Sequence, residues 1–301
     1  MKIRNLVVAV VFLVACLLSG CVDQKAPPAG QTGASGEDTI AVTSVAVMQI
    51  CEKLDLDLVG VPHSDLVEIP ARYADATELG SPMSPDMEIL AQLAPTWVLS
   101  PNSLQGDLQP KYEAAGLQYG FLNLRTIFGM RQSIVDLGEL FNRQTQAAAL
   151  TAEFDRFYET YQTAHAEQPA PRVLVLMGLP GSYVVATENS YVGSLVELAG
   201  AENVYAGTDQ EFLNVNTEDM LQKDPDIILR TAHALPDSVM KMFAEEFRTN
   251  DIWKHFTAVK EGRVYDLDHG CFGMSANFRY PEAMARLDEI FYGQTAGGEQ
   301  A

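Results

Sequence analysis

The chain opens on an apolar run from Leu6 to Leu18, preceded by the cations Lys2 and Arg4. The run is shorter than the ~20 residues that cross a bilayer and has the length of the apolar segment of an export signal. Residues 22–38 then carry Pro27, Pro28, Gly30, Gly33, Ser35 and Gly36 with almost nothing apolar, the composition of a flexible tether. From Thr39 the pattern becomes that of a folded chain. Short apolar runs predict strands at 39–43, 58–62, 96–100 and 119–123, with a helix over 45–54 between the first two. Over 126–167 the period changes: Ile127, Met130, Ile134, Leu137, Leu140, Ala148, Phe154, Phe157 and Tyr161 recur at helical spacing without a strand. That is about 40 residues, or roughly 60 Å as one straight helix. Pro169 and Pro171 end it, and the alternation restarts with strands predicted at 172–177, 183–187, 226–230 and 263–267 and helices over 192–199, 237–247 and 281–292. The elements predict an α/β fold in two halves around a helical middle, the first half parallel and doubly wound. No sequence repeat relates the halves, and no later apolar run is long enough to span a membrane.

The end of the export signal, Leu18-Ser19-Gly20-Cys21, resembles a lipobox, the site where bacterial lipoproteins are cut before a cysteine whose thiol is acylated. Small residues at 19 and 20 let a peptidase reach the bond, and Cys21 supplies the nucleophile. Acyl chains contribute about 0.8 kcal/mol per buried CH₂, so several of them hold a soluble domain at a membrane without a spanning helix. The chain is thereby expected at the outer face of the cell membrane, lipid-anchored through Cys21. The expected partition is a signal peptide over 1–20, a lipid-anchored linker over 21–38, an N-terminal α/β lobe over 39–125, a helical connector over 126–168, a C-terminal α/β lobe over 169–293 and a disordered tail over 294–301.

Charge and cysteine content narrow the class. Removing the signal deletes Lys2 and Arg4 and no acids, so the formal charge of −20 becomes −22. Such a surface repels nucleic acid and anionic headgroups. Only Cys51 and Cys271 then remain as thiols, either as one bridge or as two free cysteines, too few for a disulfide framework. No enzyme constellation emerges: Gly178-Leu-Pro-Gly181 lacks the lysine of a phosphate loop, and neither HExxH nor GxSxG occurs. The five histidines are scattered, against the clustered ligands of zinc or manganese sites. His269 and Cys271 could meet a transition metal, but a solvated loop is the simpler account, and His165 and His255 read as surface residues.

An exported pair of α/β lobes joined by a helical connector resembles the solute-binding lipoproteins of ABC importers, in the class with a rigid backbone helix. Within that class the chain is similar to the haem-binding lipoproteins of the iron-regulated surface determinant systems. The matching segments are Gly80-Ser-Pro-Met-Ser-Pro-Asp-Met-Glu88, Val175-Leu-Met-Gly-Leu-Pro-Gly-Ser-Tyr183, Asp226-Ile-Ile-Leu-Arg-Thr-Ala-His233, Asn250-Asp-Ile-Trp-Lys-His-Phe256 and Phe272-Gly-Met-Ser-Ala-Asn277. The resemblance implies two doubly wound lobes joined by a long backbone helix, with the ligand cleft between them. It further implies a monomer that takes haem from surface haem donors and delivers it to ABC permease subunits. It also implies that haem iron is held between Met83 and His233. The residues fit that role: Met83 precedes a helix expected to start at Pro85 under a Ser84 cap, and His233 follows an apolar strand, where open α/β sheets bind ligands. A thioether with an imidazole suits low-spin haem iron.

Further contacts follow from the haem reading. Amides at Ser44, Val45 and Ala46, at a helix start, are candidates to cradle the propionates, with Ser64 as a second candidate. Tyr183 and Tyr191 are candidates to flank the macrocycle. His63 follows a strand where the family has no histidine and is a rival iron ligand. Glu88 and Glu218 are the candidate acidic contacts to the two permease subunits, although a carboxylate near a helix start also stabilises the helix. A siderophore or cobalamin binder of the same fold, and an exported haem-processing enzyme, are the competing readings.

Overall fold

A computed structural model describes residues 38–65 and 67–293. The export signal, Cys21, the tether to residue 37, and the tail over 294–301 lie outside the described residues.

The first lobe runs β1 (Ile40–Val42), α1 (Val45–Lys53), β2 (Leu58–Val61), β3 (Thr77–Glu78), a hairpin of β4 (Gly80–Ser81) and β5 (Ser84–Pro85), α2 (Met87–Leu93), β6 (Trp97–Pro101), α3 (Gln105–Ala115) and β7 (Tyr119–Leu122). Its sheet is parallel throughout, in the order β3-β2-β1-β6-β7. After α4 (Ile127–Leu140) and α5 (Gln144–His165), the second lobe runs β8 (Arg172–Leu179), β9 (Ser182–Ala186), α6 (Tyr191–Leu198), β10 (Glu202–Asn203), β11 (Phe212–Leu213), α7 (Thr217–Lys223), β12 (Ile227–Ala232), α8 (Pro236–Thr249), α9 (Thr257–Lys260), β13 (Val264–Asp266) and α10 (Tyr280–Phe291). Its sheet, β11-β9-β8-β12-β13, is parallel from β8 to β13, with β9 and β11 as an antiparallel edge. Among the described residues no helix is long and apolar enough to cross a membrane.

Both sheets are covered on both faces, which is why their strands read as unbroken apolar runs. In β8, Val173, Val175 and Met177 face one core while Leu174 and Leu176 face another. In β1, Ile40 and Val42 divide from Ala41 in the same way. The largest core is continuous across the molecule, from Ile40 and Leu99 through Ile134 and Phe154 to Val175 and Leu287. The lobes therefore share apolar packing.

The connector departs from a single straight helix. The helical repeat is interrupted at residues 141–143, where Asn142 takes a left-handed φ of 57°, and the chain doubles back. Arg131 pairs with Asp155 at 2.6 Å, Phe128 packs on Phe154 and Tyr158, and Gly138 leaves room for Ala147, contacts that set α4 and α5 antiparallel. The bridging element is α5, 22 residues and about 33 Å long. Near its start Arg143 donates to the Asp55 carbonyl in the first lobe, and near its end Tyr161 and His165 meet Asp288 of α10 in the second. His165 is thus half-buried and stacked on Tyr161, where the sequence reading placed it on the surface. Cys51 and Cys271 are both free and buried, and burial is the main cause raising their thiols to about 12 and about 11.

Candidate functional site

The β4-β5 hairpin sets the first half of the site. Gly80 adopts a φ of 83°, Pro82 and Met83 form the turn, and Asp86 caps α2 by accepting from the amides of Glu88 and Ile89. The expected helix start at Pro85 under a Ser84 cap is therefore displaced by two residues: Ser84 and Pro85 pair back to Gly80 and Ser81 as a strand. The result lifts Met83 to the tip of a hairpin, 63% exposed, where no core packing explains its side chain. Loop 63–65, which follows β2, is tied to the same hairpin, since the His63 amide donates to the Gly80 carbonyl.

The second half is the turn after β12. The His233 amide donates to the Gly178 carbonyl on β8, which fixes His233 one residue beyond the strand's carboxyl end. His233 is exposed to the space between the lobes, and partial desolvation by the residues around its ring lowers its pKa below the ordinary imidazole value. The neutral imidazole, the form that ligates a metal, is thus favoured.

These two halves line one cavity of about 640 Å³, within the usual range for a small-molecule site. Its wall is His63, Ser64, Asp65, Ser81, Pro82 and Met83 from the first lobe and residues 233–238 from the second. Met83 and His233, predicted from distant segments of sequence, meet here. So do His63 and Ser64. His63, however, has both ring nitrogens engaged, Nδ1 with Glu78 at 3.1 Å and Nε2 with Asp65 at 3.2 Å. The hydrogen bond to Glu78, with the charges of Glu78 and Asp65, raises its pKa. Both ring nitrogens thus face carboxylates, and one of these contacts must open before His63 can offer a lone pair to iron, whereas His233 needs no such release.

Other candidates are not on this wall. Ser44 is buried and its hydroxyl accepts from Val47 N as the cap of α1, while Val45 and Ala46 pack against the central core. Tyr183 lies with Val185 on the outer face of β9, packs on Phe243, donates to Glu246 at 3.0 Å and borders a separate depression. Tyr191 is 1% exposed in the central core. None of these five flanks the cavity. Glu88 and Glu218 are both exposed, in the first turns of α2 and α7 on different lobes. Among the described residues no group of three or more His, Cys, Asp or Glu side chains is placed to hold a bare metal ion, and His269 joins no such cluster. The sequence reading missed residues 234–238 and Asp65. Pro236, which begins α8, was the one local signal that a turn exposes this segment.

A family model described as periplasmic binding protein matches residues 40–269. The chain is 42% identical over 288 residues to the high-affinity heme uptake system protein IsdE of Staphylococcus aureus strain Newman, covering 95% of this chain and 96% of that protein. It is also similar to the crystal structure of an ABC transporter substrate-binding protein from Listeria monocytogenes EGD-e, with TM-score 0.81 and 47% identity over 85% of this chain and 99% of that one. The crystal structure of S. aureus IsdE complexed with heme gives TM-score 0.81 and 44% identity over 85% of this chain and 100% of that one.

Proposed function

We propose that this chain, which belongs to the periplasmic binding protein family, is the solute-binding component of an ABC importer, that it carries haem in the cavity between its lobes, and that Met83 and His233 hold the iron. It is a binding protein and not an enzyme, as its relatives are. The observation that carries the haem reading is the placement of one thioether and one neutral imidazole, from opposite lobes, on the wall of a single cavity. Each side chain is supplied from outside the core: Met83 by a hairpin tip, His233 by a strand end. Thioether and imidazole together satisfy the two axial positions of low-spin haem iron. The names of the relatives, which refer to heme, support the same ligand. Ser64, Ser81 and Ser238 place hydroxyls on this wall as candidate propionate contacts, and His63 places an imidazole on its first-lobe side. The test is titration of the purified protein with haem. One-to-one uptake, with haem returned unchanged, is expected; binding of ferric siderophores or cobalamin in place of haem would overturn the reading, and turnover of haem would make the protein an enzyme.

Anchoring rests on Cys21. Cys21→Ala is expected to block acylation and leave uncleaved precursor in the membrane fraction; mature, correctly processed protein in that variant would contradict the lipobox assignment. Delivery rests on a pair of acidic contacts, one per lobe, to basic residues on the permease subunits. Glu88 and Glu218 are exposed at the starts of α2 and α7, so replacing both with Lys reverses charge without disturbing the cavity. Haem affinity is expected to remain at the parent value while haem-dependent growth is lost. Normal growth of the double variant would remove these two residues from the docking surface.

A further inference from the structure

Leu235 breaks three local rules at once. It stands at the N-cap of α8, where five other helices of this chain use Ser44, Asp86, Thr126, Ser190 and Asn216 with a side-chain hydrogen bond, and it makes none. Its backbone is left-handed, φ 47° and ψ 56°, a conformation that crowds the Cβ of any L-residue. It precedes Pro236, which normally drives the preceding residue to extended backbone. Among the described residues the other non-glycine positions with positive φ, Asp55, Ala94, Asn142 and Asp224, sit at or just past helix carboxyl ends, where this conformation is an ordinary exit.

The strain is imposed from both sides. The His233 amide is held by the Gly178 carbonyl, and the Leu235 carbonyl accepts from the amides of Ser238 and Val239. Between these anchors Leu235 is thrown outward, 61% exposed, on the cavity wall that it shares with Met83 of the other lobe. A large aliphatic side chain that neither caps the helix nor enters a core does nothing for the fold. Backbone strain of this kind persists only where the surrounding structure over-determines it, and it clusters at ligand clamps and active sites.

We infer that Leu235 is a ligand-contact residue, held into the cleft by the turn so that its side chain packs against the apolar face of a porphyrin. This rests on the haem reading and extends it from iron ligation to recognition of the macrocycle. A polar iron chelate gains nothing from such a wall, so Leu235 also favours a porphyrin over a hydrophilic iron complex.

The test compares the full-length protein with Leu235→Asn, which tolerates left-handed backbone, and Leu235→Gly, which adopts it freely. Both variants are expected to raise the Tm of the haem-free protein, because the strain is relieved. Both are expected to release haem to excess apomyoglobin about tenfold faster, the effect of uncovering most of a leucine side chain. Binding of iron-free protoporphyrin is expected to weaken by the same factor, since the contact does not involve iron. Unchanged release, a lowered Tm, or an effect confined to the iron-containing porphyrin would each overturn the assignment, the last by making Leu235 a positioning residue for His233. Failure of the parent protein to bind haem would instead sink the functional reading beneath it, while haem binding without any porphyrin binding by the parent would sink only the macrocycle contact.

Discussion

Replacing His233 with alanine is expected to lower haem affinity by more than the ~10–100-fold that loss of an outer-shell partner costs a metal site. The imidazole is the stronger of the two donors, and partial desolvation already favours its neutral form. Met83→Ala should cost less affinity but change the spectrum more tellingly, with the iron becoming five-coordinate or recruiting water. His63→Ala is the control. With both its nitrogens held by Glu78 and Asp65, its removal should leave the ligand-field bands in place. Reduced parent protein should show the sharp α and β bands of six-coordinate low-spin iron. Bands that survived Met83→Ala and vanished with His63→Ala would mean that the carboxylate clamp opens and that the site is bis-histidine.

The second large effect concerns the frame behind His233. Gly178 lies in β8 beneath α8, and a Cβ there would come within 2.2 Å of Val239 Cγ1 and 2.8 Å of the Phe243 ring. Both neighbours are fully buried and have nowhere to go. Gly178→Ala is expected to cost about 1–3 kcal/mol by overpacking. At roughly 2–4 °C per kcal/mol for a domain of this size, the Tm should fall by several degrees. The same carbonyl that accepts from His233 moves with the strand, so haem affinity should fall as well. Gly106, in α3 with nothing within 4 Å of its added Cβ, is the contrasting position. Ala there should be neutral or stabilise by up to about 1 kcal/mol, the usual helix preference. Calorimetry on the two variants should separate them in sign; equal Tm changes would contradict the packing described at Gly178.

Much of this architecture was legible because strands covered on both faces leave continuous apolar runs. β2 and β6 appear within one residue of their expected ends for that reason. What escaped has particular causes. The helix α3 buries only Leu108 and Tyr112 and contains Pro110, so its periodicity is too thin to register. The reversal at residues 141–143 is hidden because α4 and α5 both pack on one core and keep the same repeat on either side. Ser84-Pro85 imitates a helix start, yet it is a strand, and the cap is Asp86. Met83 and His233, named from the segments around them, both line the cavity, whereas Tyr183 and Tyr191 do not. Which face of β9 Tyr183 takes depends on an antiparallel pairing with β8 that its own sequence does not encode. Leu235 was invisible for a different reason: local rules predict against a leucine there, and only the turn's tertiary anchors show why one stands in the cleft.

The central claim is that one sulfur and one imidazole nitrogen, from opposite lobes, hold the iron. X-ray absorption at the iron edge of the haem-loaded protein tests it directly. A single axial sulfur scatterer in the parent, lost in Met83→Ala and retained in His63→Ala, is the predicted result. An iron shell without sulfur in the parent, or a sulfur signal that persists in Met83→Ala, would contradict it.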